Sequence, residues 1–305
     1  MLITKKQQIS LLNFNDLNPI SLDRDTRINE GLLPININEY HNRFFNKYDI
    51  AELYHENSKL YRSTDSNIAL SIAQLKTDPA LLSQYLITPT YDTIYSIDTH
   101  GIVLDGKDKS LRDCIFGRKS IRNYTAKEIE DKILFSILNL SAGKTREESI
   151  KFHDQIQKIR FRAIPSGGAL YPVDIFILLK NVRNIENGIY WYNPNNYILN
   201  LLTKDQDRMD MLDKAMIDQN ISRDYFALFV LVGNFWRSRV KYGPRAYRFV
   251  LLEAGHLAQN ILLSHVYYDL GSVPLQAFID DEVSRALLID GVDIAPLYVI
   301  AGGTY

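Results

Sequence analysis

Apolar residues recur along this chain at two different spacings. Continuous runs of strand length occur at Val173–Lys180 (VDIFILLK) and Phe226–Val232, and both read as buried strands. Gly188–Tyr192 and Tyr197–Leu202 flank Asn193-Pro194-Asn195-Asn196, the punctuation of a hairpin. Val273–Phe278 and Leu297–Ile300 predict two further strands, with a helix over Asp281–Leu288 between them. Helical spacing appears elsewhere. Leu111–Phe116 predicts a short helix. Thr125 predicts a helix start, with Glu128 completing a capping box, and Ile129, Ile133, Ile137 and Leu140 forming one stripe as far as Leu140. Gly243-Pro244 opens the longest helical pattern, with Tyr247, Leu251, Ala254, Ala258, Ile261 and His265 on one face and Gly271 at its end. At 1.5 Å per residue that helix is about 40 Å long.

Strands and helices mix without regular alternation, which predicts an α+β fold in which a central mixed or antiparallel sheet packs on one long helix. The chain divides near residue 105. Residues 1–105 form a Tyr- and Asn-rich, mostly helical extension, with patches at Glu39–Lys59 and Asn67–Lys76 and a helix start at Asp78-Pro79. Thr88-Pro89-Thr90 breaks that pattern, and Thr99–Lys109 reads as a hairpin or linker. Residues 106–305 form the main domain.

Composition narrows the function classes. With 35 basic and 36 acidic side chains the formal charge is −1, which gives no footprint for nucleic acid or an anionic membrane. The most apolar helical stretch, Phe249–Leu270, is interrupted by Glu253, His256, Gln259, Asn260, His265 and Asp269, so no membrane span is expected. The opening MLITKKQQISLLNF lacks the apolar core of a signal peptide. The single cysteine, Cys114, reads as a helix core position and excludes an internal disulfide. These features point to the cytosol. Six histidines show no metal-ligand spacing, and neither a Gly-x-Ser-x-Gly elbow nor a Gly-x-Gly-x-x-Gly fingerprint occurs.

Four clusters carry candidate chemistry. Arg118-Lys-Ser120-Ile-Arg122-Asn-Tyr124 brings two guanidiniums and a hydroxyl together, suited to phosphate and carbonyl oxygens, although spacing alone favours a solvated basic turn. Pro165-Ser166-Gly167-Gly168-Ala169-Leu170-Tyr171-Pro172 is stiffened at both ends and lets backbone approach a flat ligand, or else is a plain turn into the next strand. Lys241-Tyr242-Gly243-Pro244-Arg245-Ala246-Tyr247-Arg248 opens the long helix as a proton-active, anion-friendly site, or as a surface Lys beside a core Tyr. A lysine base near neutral pH needs its pKa lowered from about 10.4. Gly271-Ser272-Val273-Pro274-Leu275-Gln276-Ala277-Phe278 offers backbone amides to a ligand edge.

The order of these clusters resembles the nitroreductase superfamily. Arg118-x-Ser120-x-Arg122-x-Tyr124 looks like its opening motif, and Ile164–Pro172 like the central motif of its SagB-type azoline dehydrogenases. Lys241-Tyr242, Arg245-x-Tyr247-Arg248 and Leu252-Glu-Ala-Gly-His256-x-x-Gln259-Asn260 resemble that branch's lysine–tyrosine pair and central helix, and Ala295-Pro-Leu-Tyr298 its last strand. The resemblance covers about residues 110–302. It implies a homodimer with FMN at the subunit interface. Arg118 and Ser120 would meet the phosphate, with added charge from Arg248, and Arg122 the flavin's polar edge. Pro165, Ser166 and Gly167 would touch the flavin, across the dimer, and the backbone at Leu275 and Gln276 would face N5. Lys241 and Tyr242 would be the catalytic pair.

The implied reaction oxidises a thiazoline or oxazoline of a precursor peptide to the aromatic azole, in bacteriocin biosynthesis. Oxygen would reoxidise the flavin, and a cyclodehydratase complex would be the partner. The chain ends at Tyr305 without the basic tail of related nitroreductases, which places the phosphate charge on Arg118 and Arg248. Two alternatives remain open: an NAD(P)H-dependent reductase of nitro, quinone or dehydroamino-acid substrates, and a non-catalytic scaffold of a peptide-modifying complex.

Overall fold

Strand β4 (Val173–Leu179) is apolar without alternation because both of its faces are buried. Ile175, Ile177 and Leu179 join one hydrophobic cluster, while Phe176 and Leu178 join a second on the opposite side of the sheet. β7 (Ala227–Asn234) does the same, with Phe229 and Leu231 on one side and Leu228, Val230 and Val232 on the other. Around this pair stand β1 (Tyr95–Asp98), β5 (Gly188–Asn193), β6 (Ile198–Thr203), β8 (Gly271–Leu275) and β9 (Ile294–Gly303). Among the described residues, the sheet has the order β1-β6-β5-β4-β7-β9-β8, with every neighbouring pair antiparallel. A separate hairpin pairs β2 (Lys144–Phe152) with β3 (Gln155–Arg162).

Helices cover both faces. On one side lie α2 (Asp131–Ala142) and α5 (Ala246–Tyr267). On the other lie α3 (Gln206–Lys214) and α6 (Asp280–Leu287). Two shorter helices, α1 (Leu111–Gly117) and α4 (Trp236–Tyr242), lead into the candidate site. The computed structural model describes residues 90–101, 109–152, 155–217 and 221–305, with the isolated residues Tyr54, His55, Ser58 and Ala73. All of the strands and helices named belong to the second of two compact units, Ser71–Tyr305. β1 therefore brings residues from the N-terminal side of residue 105 into the main sheet. The helical patches read at Glu39–Lys59 and Asn67–Lys76, and the helix start at Asp78-Pro79, fall outside the described residues or on only a few of them. Among the described residues, no helix is long and apolar enough to cross a membrane.

Several elements differ from the pattern-based expectation. α2 starts at Asp131, not Thr125. The Thr125 N–H donates to the Thr304 carbonyl at 2.8 Å, and the Ile129 N–H to the Asn181 carbonyl at 3.2 Å. Arg183 engages the Glu128 carboxylate at 2.9 Å. Residues 121–130 are thus an extended strap pinned across the sheet, and Glu128 caps nothing. Leu140, placed on the buried stripe, is 37% exposed. The long helix runs from Ala246 rather than Gly243, because Gly243 (φ 57°) and Pro244 form a separate 3₁₀ turn. It ends at Tyr267, where Asp269 rather than Gly271 takes the left-handed conformation (φ 58°). On that helix Ala254, Ala258, Ile261 and His265 are buried as expected, whereas Tyr247 and Leu251 face outward. His265 is held neutral by burial, its pKa lowered to about 4, and lies stacked against Phe226.

The C-cap of α6 gives a direct test of backbone strain. Leu288 is left-handed (φ 56°, ψ 45°) and 74% exposed, so its side chain gains little from packing. Leu288→Gly is expected to stabilise the protein by ~0.5–1 kcal/mol, read from the denaturant midpoint. A lower midpoint would show that the leucine makes contacts worth more than the strain.

Candidate active site

Two groups of residues form at opposite ends of α5. The first surrounds Gly168. α4 ends with Lys241 and Tyr242, both half-buried, and the 3₁₀ turn Gly243–Arg245 then leads into α5. The pair therefore sits on the last turn of a short separate helix, not on the long helix itself. The loop between β3 and β4 meets it. A methyl group added at Gly168 would lie 2.5 Å from Lys241 Nζ and 2.6 Å from Tyr242 Oη. Gly168 has φ 66°, a conformation that favours glycine, and the tips of the Lys241 and Tyr242 side chains lie over the space a Cβ would take. Phe249 of α5 packs edge-on against the Tyr242 ring with centroids 5.0 Å apart. It also stands 3.4 Å from the Cβ position of Gly167. Pro165, Gly167 and Gly168 are exposed.

The loop is strained and anchored from below. Ala169 (φ 54°) and Tyr171 (φ 47°) are left-handed besides Gly168, a conformation that non-glycine residues keep only when their surroundings enforce it. The Tyr171 N–H donates to Ser166 Oγ at 2.9 Å, and the Ser166 hydroxyl hydrogen-bonds Glu253 of α5. Glu253 also accepts from the Val173 N–H at 3.2 Å. Arg237 of α4 donates to the Tyr171 carbonyl at 2.6 Å and pairs with Asp174 at 2.7 Å, both side chains being buried. Arg162 stacks on the Tyr171 ring, 4.5 Å from its centroid, and donates to Asn195 at 3.1 Å.

Burial dominates the charges under this loop. It pushes the Glu253 carboxyl up to about 7, against the Ser166 and Val173 hydrogen bonds and the attraction of Arg162 and Arg237. It lowers Arg162 to about 10, where the guanidinium is still charged at neutral pH. Burial also works against the Arg237 charge, but Asp174 outweighs it and raises that pKa. Glu253, Arg162, Arg237 and Asp174 were not singled out from sequence as site residues. One signal did exist for Glu253. It lies three residues after Val250 and four before Leu257, on the buried stripe of α5, where an unpaired charge is costly.

The second group lies by the C-terminal end of α5. Arg118–Tyr124 leaves α1 and runs beside β8, with the Ile121 N–H donating to the Ser272 carbonyl at 3.0 Å. Arg118 is half-buried, and Ser120 and Arg122 are exposed. The Tyr124 hydroxyl turns back to the Ile121 carbonyl at 2.7 Å, holding the segment's bend. A methyl group added at Gly117 would lie 3.4 Å from Val266, near the end of α5. Arg248 is on the first turn of α5, with Lys241 rather than with Arg118. Leu275 is fully buried, so it offers only backbone, while Gln276 is exposed just beyond β8. Cys114 is buried, and burial raises its thiol pKa.

An antiparallel sheet between two helical layers, with a glycine loop facing a Lys–Tyr pair, defines a class of α+β protein whose candidate site is built around the ends of a central helix. The nitroreductase family model matches residues 115–304, and the chain belongs to the nitroreductase family, a family of oxidoreductases. A Methanocaldococcus jannaschii protein that carries the name nitroreductase MJ1384 is 31% identical over 194 residues, 63% of this chain and 91% of that one. The microcin B17-processing protein McbC of Escherichia coli is 29% identical over 143 residues, 45% of this chain and 52% of McbC. Among solved structures, the E. coli microcin synthetase McbBCD complex with truncated pro-MccB17 aligns with a TM-score of 0.53 at 22% identity, covering 75% of this chain and 82% of that one. A nitroreductase-fold protein of Anabaena variabilis aligns with a TM-score of 0.53 at 22% identity, covering 74% of this chain and 47% of that one.

Glu253 links stability to pH with a definite sign. Its pKa is about 7 in the folded protein against an ordinary 4.5, so the folded state holds the proton more tightly than the unfolded chain. Its contribution is fully present below about pH 4.5 and is lost as pH rises through about 7, a loss on the order of 3 kcal/mol. Unfolding free energies of wild type and Glu253→Gln should diverge by that amount between about pH 5 and about pH 8, with the glutamine variant the flatter. Parallel profiles would mean that Glu253 titrates normally.

Proposed function

We propose that this chain is an FMN-dependent dehydrogenase that oxidises peptide thiazolines or oxazolines to azoles during maturation of a ribosomally made peptide. The observation that carries the reading is the meeting of Lys241 Nζ and Tyr242 Oη with the exposed backbone of Gly168. A two-electron reductase has no need of a paired amine and phenol at the ligand face, whereas azoline oxidation requires a base. Similarity to McbC, a microcin-processing protein, supports the substrate class.

The residues present fit a flavin. Gly167 and Gly168 give a flat, side-chain-free backbone surface, and Arg118, Ser120 and Arg122 supply charged and neutral donors for a phosphate and a polar ring edge. FMN, when bound there, would supply the two-electron acceptor for the hydride equivalent, with oxygen regenerating it. Lys241 takes the proton from the azoline ring carbon, and the Tyr242 hydroxyl beside it orients the amine. Phe249 packs on the Tyr242 ring and helps hold it against the loop.

The two groups lie roughly 30 Å apart along α5, at 1.5 Å per residue, so one flavin cannot reach both within one subunit. A second copy of the chain supplies the missing half. An apolar surface suited to that contact exists. Phe116 (81% exposed) and Leu111 (70%) stand on α1, and Leu252 (62%) on the outer face of α5. Partnership with a cyclodehydratase complex follows from the reading, as does a cytoplasmic location. Membership of the nitroreductase family favours a second reading, NAD(P)H-dependent nitro or quinone reduction, which steady NAD(P)H consumption would reveal.

Purified protein should bind FMN and form azole from an azoline peptide. Lys241→Ala should keep FMN and lose azole formation by ~100-fold or more. Arg118→Ala should weaken FMN binding by ~1.5–3 kcal/mol, measured by titration of the apoprotein. Wild-type protein that cannot be loaded with FMN would reject the reading, and undiminished turnover of Lys241→Ala would remove the lysine as base.

A further inference from the structure

A buried carboxylate on the central helix, unused by the chemistry above, reaches both ends of the strained loop. Glu253 accepts from Val173, just past the loop, and from the Ser166 hydroxyl near its start. Ser166 Oγ in turn accepts from Tyr171. The three bonds close a ring around the left-handed residues Gly168, Ala169 and Tyr171. Left-handed alanine and tyrosine each cost about 1–2 kcal/mol, so the loop relaxes when that ring opens. Relaxation moves Gly168, whose lack of a side chain sets how closely Lys241 and Tyr242 approach the loop.

We propose that Glu253 is a positioning residue, holding the Pro165–Pro172 loop in the strained shape that places its backbone against Lys241 and Tyr242. Its consequence for turnover rests on the proposed function; the geometry does not. The charged groups acting on it are Arg162 from β3 and Arg237 from α4; Asp174 from β4 and Tyr171 from the loop act in turn on Arg162, and Asp174 and Tyr91 on Arg237. Arg237 keeps its partner Asp174 when Glu253 is replaced, so the loop loses its anchor without the whole cluster losing its charge balance. Glutamine in place of Glu253 keeps an acceptor oxygen for the Val173 N–H and turns its amide donor to the free lone pair of Ser166 Oγ, so the ring stays closed through neutral bonds weaker than those to a carboxylate.

Amide hydrogen exchange over residues 165–173 tests this without flavin. Losing a bond worth about 1.4 kcal/mol is a tenfold change, so Glu253→Ala is expected to speed exchange of this segment about tenfold, and Glu253→Gln by less. Exchange in the rest of β4 and in β7 should change no more than the variant's global unfolding free energy requires, and by less than in the loop. Loaded with FMN and given an azoline peptide, both variants should lose kcat more than they raise KM. Unchanged exchange over 165–173 in a folded variant overturns the proposal. So does equal loosening throughout the domain, which is what a merely structural core residue would give. If Glu253→Ala does not fold, Glu253→Leu, which fills the same space and cannot hydrogen-bond, decides on the same two criteria. If wild type takes up no FMN, the proposed function fails and the exchange result still decides the positioning role.

Discussion

The 22 residues of the central helix fix the separation of everything chemical in this protein. An α-helix cannot shorten without breaking its hydrogen bonds, so its two ends stay about 30 Å apart. At one end stand Lys241, Tyr242, Arg248 and the glycine loop. At the other stands the segment from Arg118 to Tyr124, tied to β8. The sheet makes this spacing rigid, because Val250, Ala254, Leu257, Ala258 and Ile261 of the helix are buried in one hydrophobic cluster with β4, β7 and β9. In the proposed function a ligand that needs both ends bridges two subunits, and the exposed apolar residues of the first helix and of the central helix are the surface a second subunit would cover.

A second constraint acts at short range. The loop near Lys241 holds left-handed residues, and the fold offsets their cost with hydrogen bonds from buried charges. Those charges are themselves expensive to bury. Arg237 and Asp174 answer that cost by pairing, and Glu253 by a raised pKa. Strain is thus held in the loop that faces the proposed ligand, and the arginines and carboxylates beneath it keep it from relaxing. Such an arrangement positions backbone for a ligand before the ligand arrives.

Much of the architecture was legible in the sequence because burial dictates it. The runs at 173–180 and 226–232 and the hairpin at 188–202 lie where apolar continuity and Asn-Pro punctuation put them. Elements without a buried face left no such trace. The β2–β3 hairpin stands apart from the main sheet, and its charged sequence alternates with apolar residues only over Lys158–Arg162, too short a stretch to mark two strands. α4 is not legible in the sequence at all, because a helix start and a break after a preceding helix look alike at Gly243-Pro244, which reads as the opening of the long helix. The strap at 121–130 passed for a helix because Thr125 and Glu128 fit a capping box, while tertiary hydrogen bonds to Thr304 and Asn181 held it extended. Within the site, Lys241, Tyr242 and the glycine loop were legible as motifs, and the structure brings them together. Their separation from Arg118, Ser120 and Arg122 was not, since sequence order carries no distance.

Complementation between a variant weakened in FMN binding and one lacking the base, assayed at FMN low enough to leave Arg118→Ala sites empty, tests the two-subunit site most directly. In a two-fold dimer, mixing Arg118→Ala with Lys241→Ala creates hybrids that hold one intact site and one doubly damaged site. After co-refolding equal amounts, azole formation should recover to about a quarter of the wild-type rate, since half the dimers are hybrid and half their sites intact. No recovery beyond the two variants measured separately, with hybrid dimers demonstrably formed, would contradict a site shared between subunits.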